Sequence, residues 1–284
     1  MRRQWIGYLF ILPNMLFVLL FVLYPLFYNL FLSLQHWSLS GITFAGLANY
    51  IQMVRDPVFW LALRNNLLYA LGAVPVTVAL ALVLALALNE RLPGRTILRT
   101  GFLVPHLISW AVVGLIWRWL FSGVYGILNT FLLRLGLQQQ AWLLDPRFAL
   151  PVVVLAGIWA NVGYHTVILL AALQGLPELY YDAAKADGAS AWQRFRYVTL
   201  PLMRPVLLLV LILAAIQSFR VFEQIFVMTG GGPGRATFVL LLYIYLTGFE
   251  SFNPGYASAI SVVLFVVMMV VTVGQLRLLR YQDM

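Results

Sequence analysis

Val78 to Leu88 reads VALALVLALAL, an unbroken run of Val, Ala and Leu. With the mostly apolar residues before it, the run covers about 66–88. That is close to the roughly 20 residues that carry a helix across about 30 Å of hydrocarbon. Five further runs read the same way, at about 8–32, 97–121, 149–173, 203–227 and 257–277. They are too long and too uniformly apolar for barrel strands, which alternate every second residue. A helix satisfies its own backbone hydrogen bonds, so it is the default for such runs in lipid. The expected fold is therefore all-α and integral to the membrane, with six transmembrane helices in one domain over 1–284. Pro75, just before the quoted run, predicts a kink there.

The composition agrees. Of 284 residues, 63% are hydrophobic and only 10% charged, and the mean hydropathy is +0.91. Soluble domains are about half apolar and about a quarter charged, so a water-soluble globule, a disordered chain and a coiled coil are excluded. Cysteine is absent, which rules out disulfides, iron–sulfur clusters and thiolate metal sites. The net charge of +9 would suggest nucleic acid in a soluble protein. Here it reads as arginine holding the cytoplasmic side and attracting anionic lipid heads, with no nucleic-acid partner.

Arginine placement orients the chain. With both termini cytoplasmic, the inner segments hold Arg2, Arg3, Arg91, Arg95, Arg99, Lys185, Arg194, Arg196, Arg204, Arg277 and Arg280. The smaller group, Arg55, Arg64, Arg118, Arg134, Arg147, Arg220 and Arg235, lies outside or near outer helix ends. The first run is too long for a signal peptide, and Leu20 to Leu34 shows no small-residue cleavage site, so it reads as a retained helix. Trp5, Trp110, Trp117, Trp119 and Tyr281 near span ends suit either interfacial anchoring or helix packing. The outer segment 33–65 mixes aromatic and polar residues and predicts a helix lying at the surface. Gly123 and Gly126 interrupt 122–148, and TGGGPG opens 228–256 as a glycine turn.

The most polar stretch is cytoplasmic: PELYYDAAKADGASAWQRFRYVTLP, Pro177 to Pro201. Pro177 suits a helix start, and Glu178 and Asp182 lie toward its positive end. Ala183, Ala184 and Ala186 are good helix formers. Ala184 and Gly188, four apart, would share a face and leave a notch for another backbone, while Gly188 also suits a helix end. Trp192, Phe195 and Tyr197 add apolar bulk before Pro201 opens the next span. The stretch reads either as a docking knob or as an ordinary amphipathic connector.

This stretch resembles the EAA loop of permease subunits in binding-protein-dependent ABC importers. That pattern is an acid, two alanines, three residues, a glycine, nine residues, then an aliphatic residue, any residue, Leu and Pro. Asp182, Ala183 and Ala184 are followed by Lys185, Ala186, Asp187 and Gly188, and after nine residues by Val198, Thr199, Leu200 and Pro201. Asp182 stands where the family more often has Glu. The rest of the chain is similar to the sugar-permease, maltose-permease-like branch, in order and spacing: PNMLFVLLFVLYPLFYNLFLSL, GLANY, LVPHLISWAVVGLIWRWLFSGVYGILN, TGGGPGRATFVLLLYIY and GYASAISVVLF. The resemblance implies a type I ABC importer permease in a bacterial or archaeal plasma membrane, working by alternating access. It implies a second homologous permease, a cytoplasmic ATPase dimer and an extracytoplasmic solute-binding protein. The ATPase-coupling residues would be Asp182, Ala183, Ala184, Asp187, Gly188, Trp192, Leu200 and Pro201. A Walker A loop needs a glycine-flanked lysine, and the only lysine, Lys185, lies between Ala184 and Ala186. ATP and Mg are therefore expected on the partner and no cofactor on this chain.

Polar groups inside spans are expensive and are candidates for function by default. The fourth span holds Trp159, Asn161, Tyr164 and His165, with Asn161 and His165 on one face. The fifth holds Gln217, Ser218, Arg220 and Glu223, with Arg220 and Glu223 spaced i, i+3 to neutralise each other. Aromatic faces, amides and hydroxyls suit a sugar, a saccharide or glycerol-phosphate-like solute. The same residues also suit hydrogen bonding between helices. The alternative transport reading is an ion-coupled secondary carrier relaying protons through Glu223, His165 and Arg220. Such carriers tend to show internal repeats, and none stands out here. A membrane enzyme acting on lipid is a further alternative. His106 and His165 are haem-ligand types without any accompanying redox feature. No paired carboxylates, nucleophile elbow or HExxH motif marks a catalytic or metal site.

Overall fold

A computed structural model describes residues 2–38, 41–90 and 94–280. Of the residues singled out above, Arg91 and Tyr281 lie outside the described residues, as do the side chains of Arg2, Arg3, Trp5 and Arg280. Five helices are long and apolar enough to cross a membrane. They are α1 (Leu9–Ser33), α3 (Pro57–Asn89), α7 (Pro146–Gln174), α9 (Ala191–Phe219) and α12 (Pro254–Arg280). The sixth expected span is two helices, α4 (Arg95–Leu107) and α5 (Trp110–Leu120), bent by 97°. The third span expected over 97–121 is present as this broken one. The helix runs through Pro105 to Leu107, and the break falls at Ile108 and Ser109, which take extended conformations with ψ 142 and 136. The expected kink at Pro75 leaves α3 continuous.

Short elements fill the connections. These are strands β1 (Gln35–Ser38) and β2 (Gly41–Phe44), then helices α2 (Ala48–Arg55), α6 (Ile127–Arg134), α8 (Glu178–Ala186), α10 (Glu223–Met228) and α11 (Leu240–Glu250). The surface helix expected in 33–65 is present as α2, but a hairpin precedes it and α3 already begins at Pro57. The fifth span also differs from 203–227. It starts at Ala191 and stops at Phe219, and Pro201 lies inside it rather than at its head. Leu200 donates five residues back to Phe195, a widened turn that lets the helix carry Pro201, which has no N–H to give.

The chain forms two compact units, Met1–Trp60 with Tyr243–Val266, and Leu61–Leu242 with Val267–Met284. In the first, β1 and β2 pair antiparallel with Gln35 opposite Phe44. Asn49 donates to the carbonyls of Ser33 and Gln35 at 2.9 and 2.8 Å. Asp56 accepts the Val58 N–H at 2.8 Å, capping α3, and its other oxygen accepts the hydroxyls of Tyr243 and Tyr256. In the second unit the core is a seam of Val74, Val78, Ala81, Ala85 and Leu88 from α3. It packs on Leu169, Leu170 and Leu173 of α7 and Met203, Val210 and Ala214 of α9. Apolar attraction between helices is weak in lipid, so close fit decides, and small residues allow it. Ala81 and Ala85 are fully buried. At Gly163 a side chain would collide with the Phe102 carbonyl, so α4 and α7 touch backbone to backbone.

Candidate functional site

The second unit encloses a cavity of about 300 Å³. Tyr69, Ala73, Val74 and Thr77 of α3 form one wall, and Gly157, Asn161 and His165 of α7 another. His106 and Trp110 reach it from the two sides of the α4–α5 break. Ala214, Gln217 and Ser218 close it from the end of α9, followed by Arg220 to Gln224. That last stretch is a second break. Phe222 adopts φ −145, ψ −69, so α9 ends and α10 begins in a new direction. Both interrupted helices therefore meet at one cavity, the setting in which non-helical backbone is tolerated at membrane depth.

The site is polar but under-bonded. Asn161 donates to the Gly157 carbonyl at 3.0 Å, Ser218 to Ala215 at 2.7 Å, and Gln224 to the Val153 carbonyl. The Asn161 Oδ1, Gln217 Oε1, Gln224 Oε1, His106 Nδ1 and both His165 ring nitrogens are buried without a hydrogen-bond partner among the described residues. Gln217 lies beside His165 but outside hydrogen-bond geometry. Each such orphan costs about 1–3 kcal/mol unless something polar reaches it. Together they line one cavity with polar atoms that hydroxyl groups or water can satisfy. His106 is stacked on Tyr164 at 4.4 Å, which holds the imidazole against the cavity wall. Gly157 is required here, because a side chain on it would collide with the Tyr69 hydroxyl.

The structure gathers Asn161, His165, Gln217, Ser218, Arg220 and Glu223 around the cavity. It does not bring Trp159 or Tyr164 to the lining; Trp159 is packed beside Trp117 at 6.0 Å, and Tyr164 lies behind His106. The expected neutralisation of Arg220 by Glu223 is also corrected. The two do not form an ion pair, because the helix ends between them and the i, i+3 spacing no longer places them on one face. Trp110, which its place near a span end also suited to anchoring or packing, lines the cavity. Tyr69 and Thr77 were not anticipated; each is a lone polar side chain in the apolar part of α3 that follows Asn66.

The 177–201 stretch folds with little slack. Pro177 caps α8, and the helix ends in a paired stop: Ala189 N–H bonds Ala184 O at 2.9 Å and Gly188 N–H bonds Lys185 O at 3.0 Å. That pattern needs a left-handed residue, and Gly188 has φ +75. Gly188 thus lies past the helix, and the notch it was expected to form with Ala184 on one helical face is not made that way. Ser190 and Gln193 form a reciprocal cap that starts α9 at once. Tyr181 and Thr199 share a hydrogen bond of 3.0 Å across the elbow. Asp182 pairs with Lys185 at 3.0 Å on the exposed surface, which contributes little. Leu179, Tyr180, Trp192 and Tyr197 remain exposed.

The chain matches, over residues 2–280, the model of the binding-protein-dependent transport system inner membrane component. The trehalose/maltose transport system permease protein MalF of Thermococcus litoralis is 37% identical over 99% of this chain and 96% of its own length. The lactose transport system permease protein LacF of Rhizobium radiobacter is 34% identical over 95% and 92%. A crystal structure of a bacterial ABC transporter that imports the acidic polysaccharide alginate shares the fold, with a TM-score of 0.86 at 24% identity over 99% of this chain and 96% of that one. Six-span apolar architecture, helix breaks and full-length likeness converge: this chain belongs to the family of inner-membrane components of binding-protein-dependent transport systems, as a multi-pass ABC importer permease.

Proposed function

We propose that the chain is the membrane-spanning permease subunit of a carbohydrate importer and that the α3–α7–α9 cavity is where the sugar is held during passage. The observation that carries this reading is the convergence of unpartnered amide oxygens and imidazole nitrogens on a cavity flanked by Trp110. A sugar offers hydroxyls to satisfy these atoms and C–H faces to cover an aromatic ring. Its volume of about 300 Å³ lies at the small end of the usual range for small-molecule sites. The sugars in the relatives' names support the same class.

In this reading both termini are cytoplasmic. The elbow at Pro177 to Pro201 docks on an ATPase dimer that carries ATP and Mg, and a second permease completes the pathway. A solute-binding protein delivers from outside, as in the solved alginate transporter complexed with its periplasmic protein. Nucleotide binding must stabilise one of two states more than the other for transport to be vectorial. Leu179, Tyr180 and Trp192, exposed on the elbow, supply its contact area. Asn161→Ala and Ser218→Ala are expected to lower uptake or change sugar preference while the complex still assembles. Unchanged transport kinetics in both variants would remove the sugar site from this cavity.

A further inference from the structure

A second concavity in the same unit lies between α3 and α7, away from the polar cavity. Its walls are Leu68 and Gly72 on α3 and Leu150, Val154, Leu155 and Ile158 on α7. At its floor α3 and α7 are close, since a side chain on Gly72 would press on Val154 at 3.2 Å. At one end stand Arg64 and Arg147, with Ala236 of the following loop. The backbone of the neighbouring Arg235 is held here, since Asn65 binds its carbonyl at 3.0 Å, while its guanidinium lies over the Phe238 ring at 5.9 Å. All three arginines are exposed, and the acid beside them is Asp145, paired with Arg147 at 2.8 Å. The rim is therefore net cationic, and apart from Asn65 the rest of the groove is apolar.

The groove's depth identifies its occupant. From Arg147 to Ile158 it follows α7 for about 16 Å at 1.5 Å per residue. That is about half of the roughly 30 Å hydrocarbon core, the depth of one leaflet. We propose that this groove binds one anionic phospholipid, its acyl chain between α3 and α7 and its headgroup against Arg64 and Arg147.

The test reconstitutes the full chain, with its transport partners, in phosphatidylcholine bilayers containing a minor fraction of phosphatidylglycerol. Lipids retained through detergent extraction are then quantified by mass spectrometry. The complex is expected to retain phosphatidylglycerol above its share of the bilayer, and Arg64→Gln is expected to cut that enrichment about five-fold, the weight of one basic residue at an anionic surface. Arg64 is exposed, so the variant should fold; normal assembly is checked by size. As a second probe, Leu155→Trp fills the groove and should lower retention of both lipids while the arginines stay in place. Equal retention of the two lipids by the unmodified complex would overturn the proposal. So would enrichment that survives both variants, or a crosslink from Leu155 to a protein helix.

Discussion

Asn66 fastens the interrupted part of the fold to a continuous helix, and its removal has a calculable effect. Its side chain is completely buried on α3. The Oδ1 accepts the Leu240 N–H at 2.8 Å, and the Nδ2 donates to the Phe219 carbonyl at 3.4 Å. These two bonds hold the end of α9 and the start of α11, and so bracket the whole segment from Arg220 to Val239. In Asn66→Ala the Leu240 N–H is left buried without an acceptor, which costs about 1–3 kcal/mol. The longer bond to Phe219 adds little. A loss of about 2 kcal/mol corresponds to about 30-fold in an opening equilibrium, at 1.4 kcal/mol per tenfold. Hydrogen exchange followed by mass spectrometry on the purified protein should show the peptide containing Leu240 exchanging about 30-fold faster, with the α3 and α7 peptides unchanged. Leu71→Ala, on an exposed face of the same helix, serves as the control and should leave Leu240 protected. If Asn66→Ala leaves exchange at Leu240 unaltered in a folded protein, the fastening role is wrong.

Three further outcomes follow from the same geometry. Gly188→Ala has open space for its methyl group but must hold φ +75, at about 1–2 kcal/mol; transport-coupled ATPase activity should fall while insertion and subunit assembly, read by co-purification, persist. Gly157→Ala drives a methyl group into the Tyr69 hydroxyl and should sharply reduce uptake, with partial recovery in Gly157→Ala combined with Tyr69→Phe. Burial raises the Asp56 carboxyl pKa, but the hydrogen bonds from Tyr243, Tyr256 and the backbone lower it further, leaving it below its ordinary value of 3.8. A depressed value contributes stability above the unfolded pKa that is lost as pH falls through the folded one. Thermal melting should therefore show this contribution steady from neutral pH to about 5 and fading below about 4, a fade absent in Asp56→Asn.

Hydropathy located the long spans because burying an apolar run in lipid depends on composition alone, and α3, α7 and α12 fall where the runs at 66–88, 149–173 and 257–277 place them. The helix end near Gly188 was legible for a different reason: the left-handed stop has a residue requirement that glycine meets. The breaks were not legible. Ile108, Val221 and Phe222 are apolar residues of the kind that fill the spans, and nothing in hydropathy reports a backbone dihedral. The fastening role of Asn65 and Asn66 was hidden because their partners lie 173 and 174 residues away. Within the cavity, Asn161, His165, Gln217 and Ser218 stood out as costly polar groups in spans. Trp159 and Tyr164 shared that description but pack against neighbouring rings, a distinction that only the turn-by-turn rotation of α7 decides. Arg220 and Glu223 were paired on the assumption of a continuous helix, and the break removes it.

The joint between α8 and α9 has a mechanical consequence. With a left-handed stop on one side, a reciprocal cap on the other and Tyr181 tied to Thr199 across the corner, the two helices have almost no hinge between them. Helix α9 then extends from Ala191 to Phe219, about 43 Å at 1.5 Å per residue. Tipping such a rod by roughly five degrees at its foot carries its far tip sideways by about 4 Å over that length. Gln217 and Ser218 ride on that tip, so a small push at one end becomes a displacement wider than a hydrogen bond at the other.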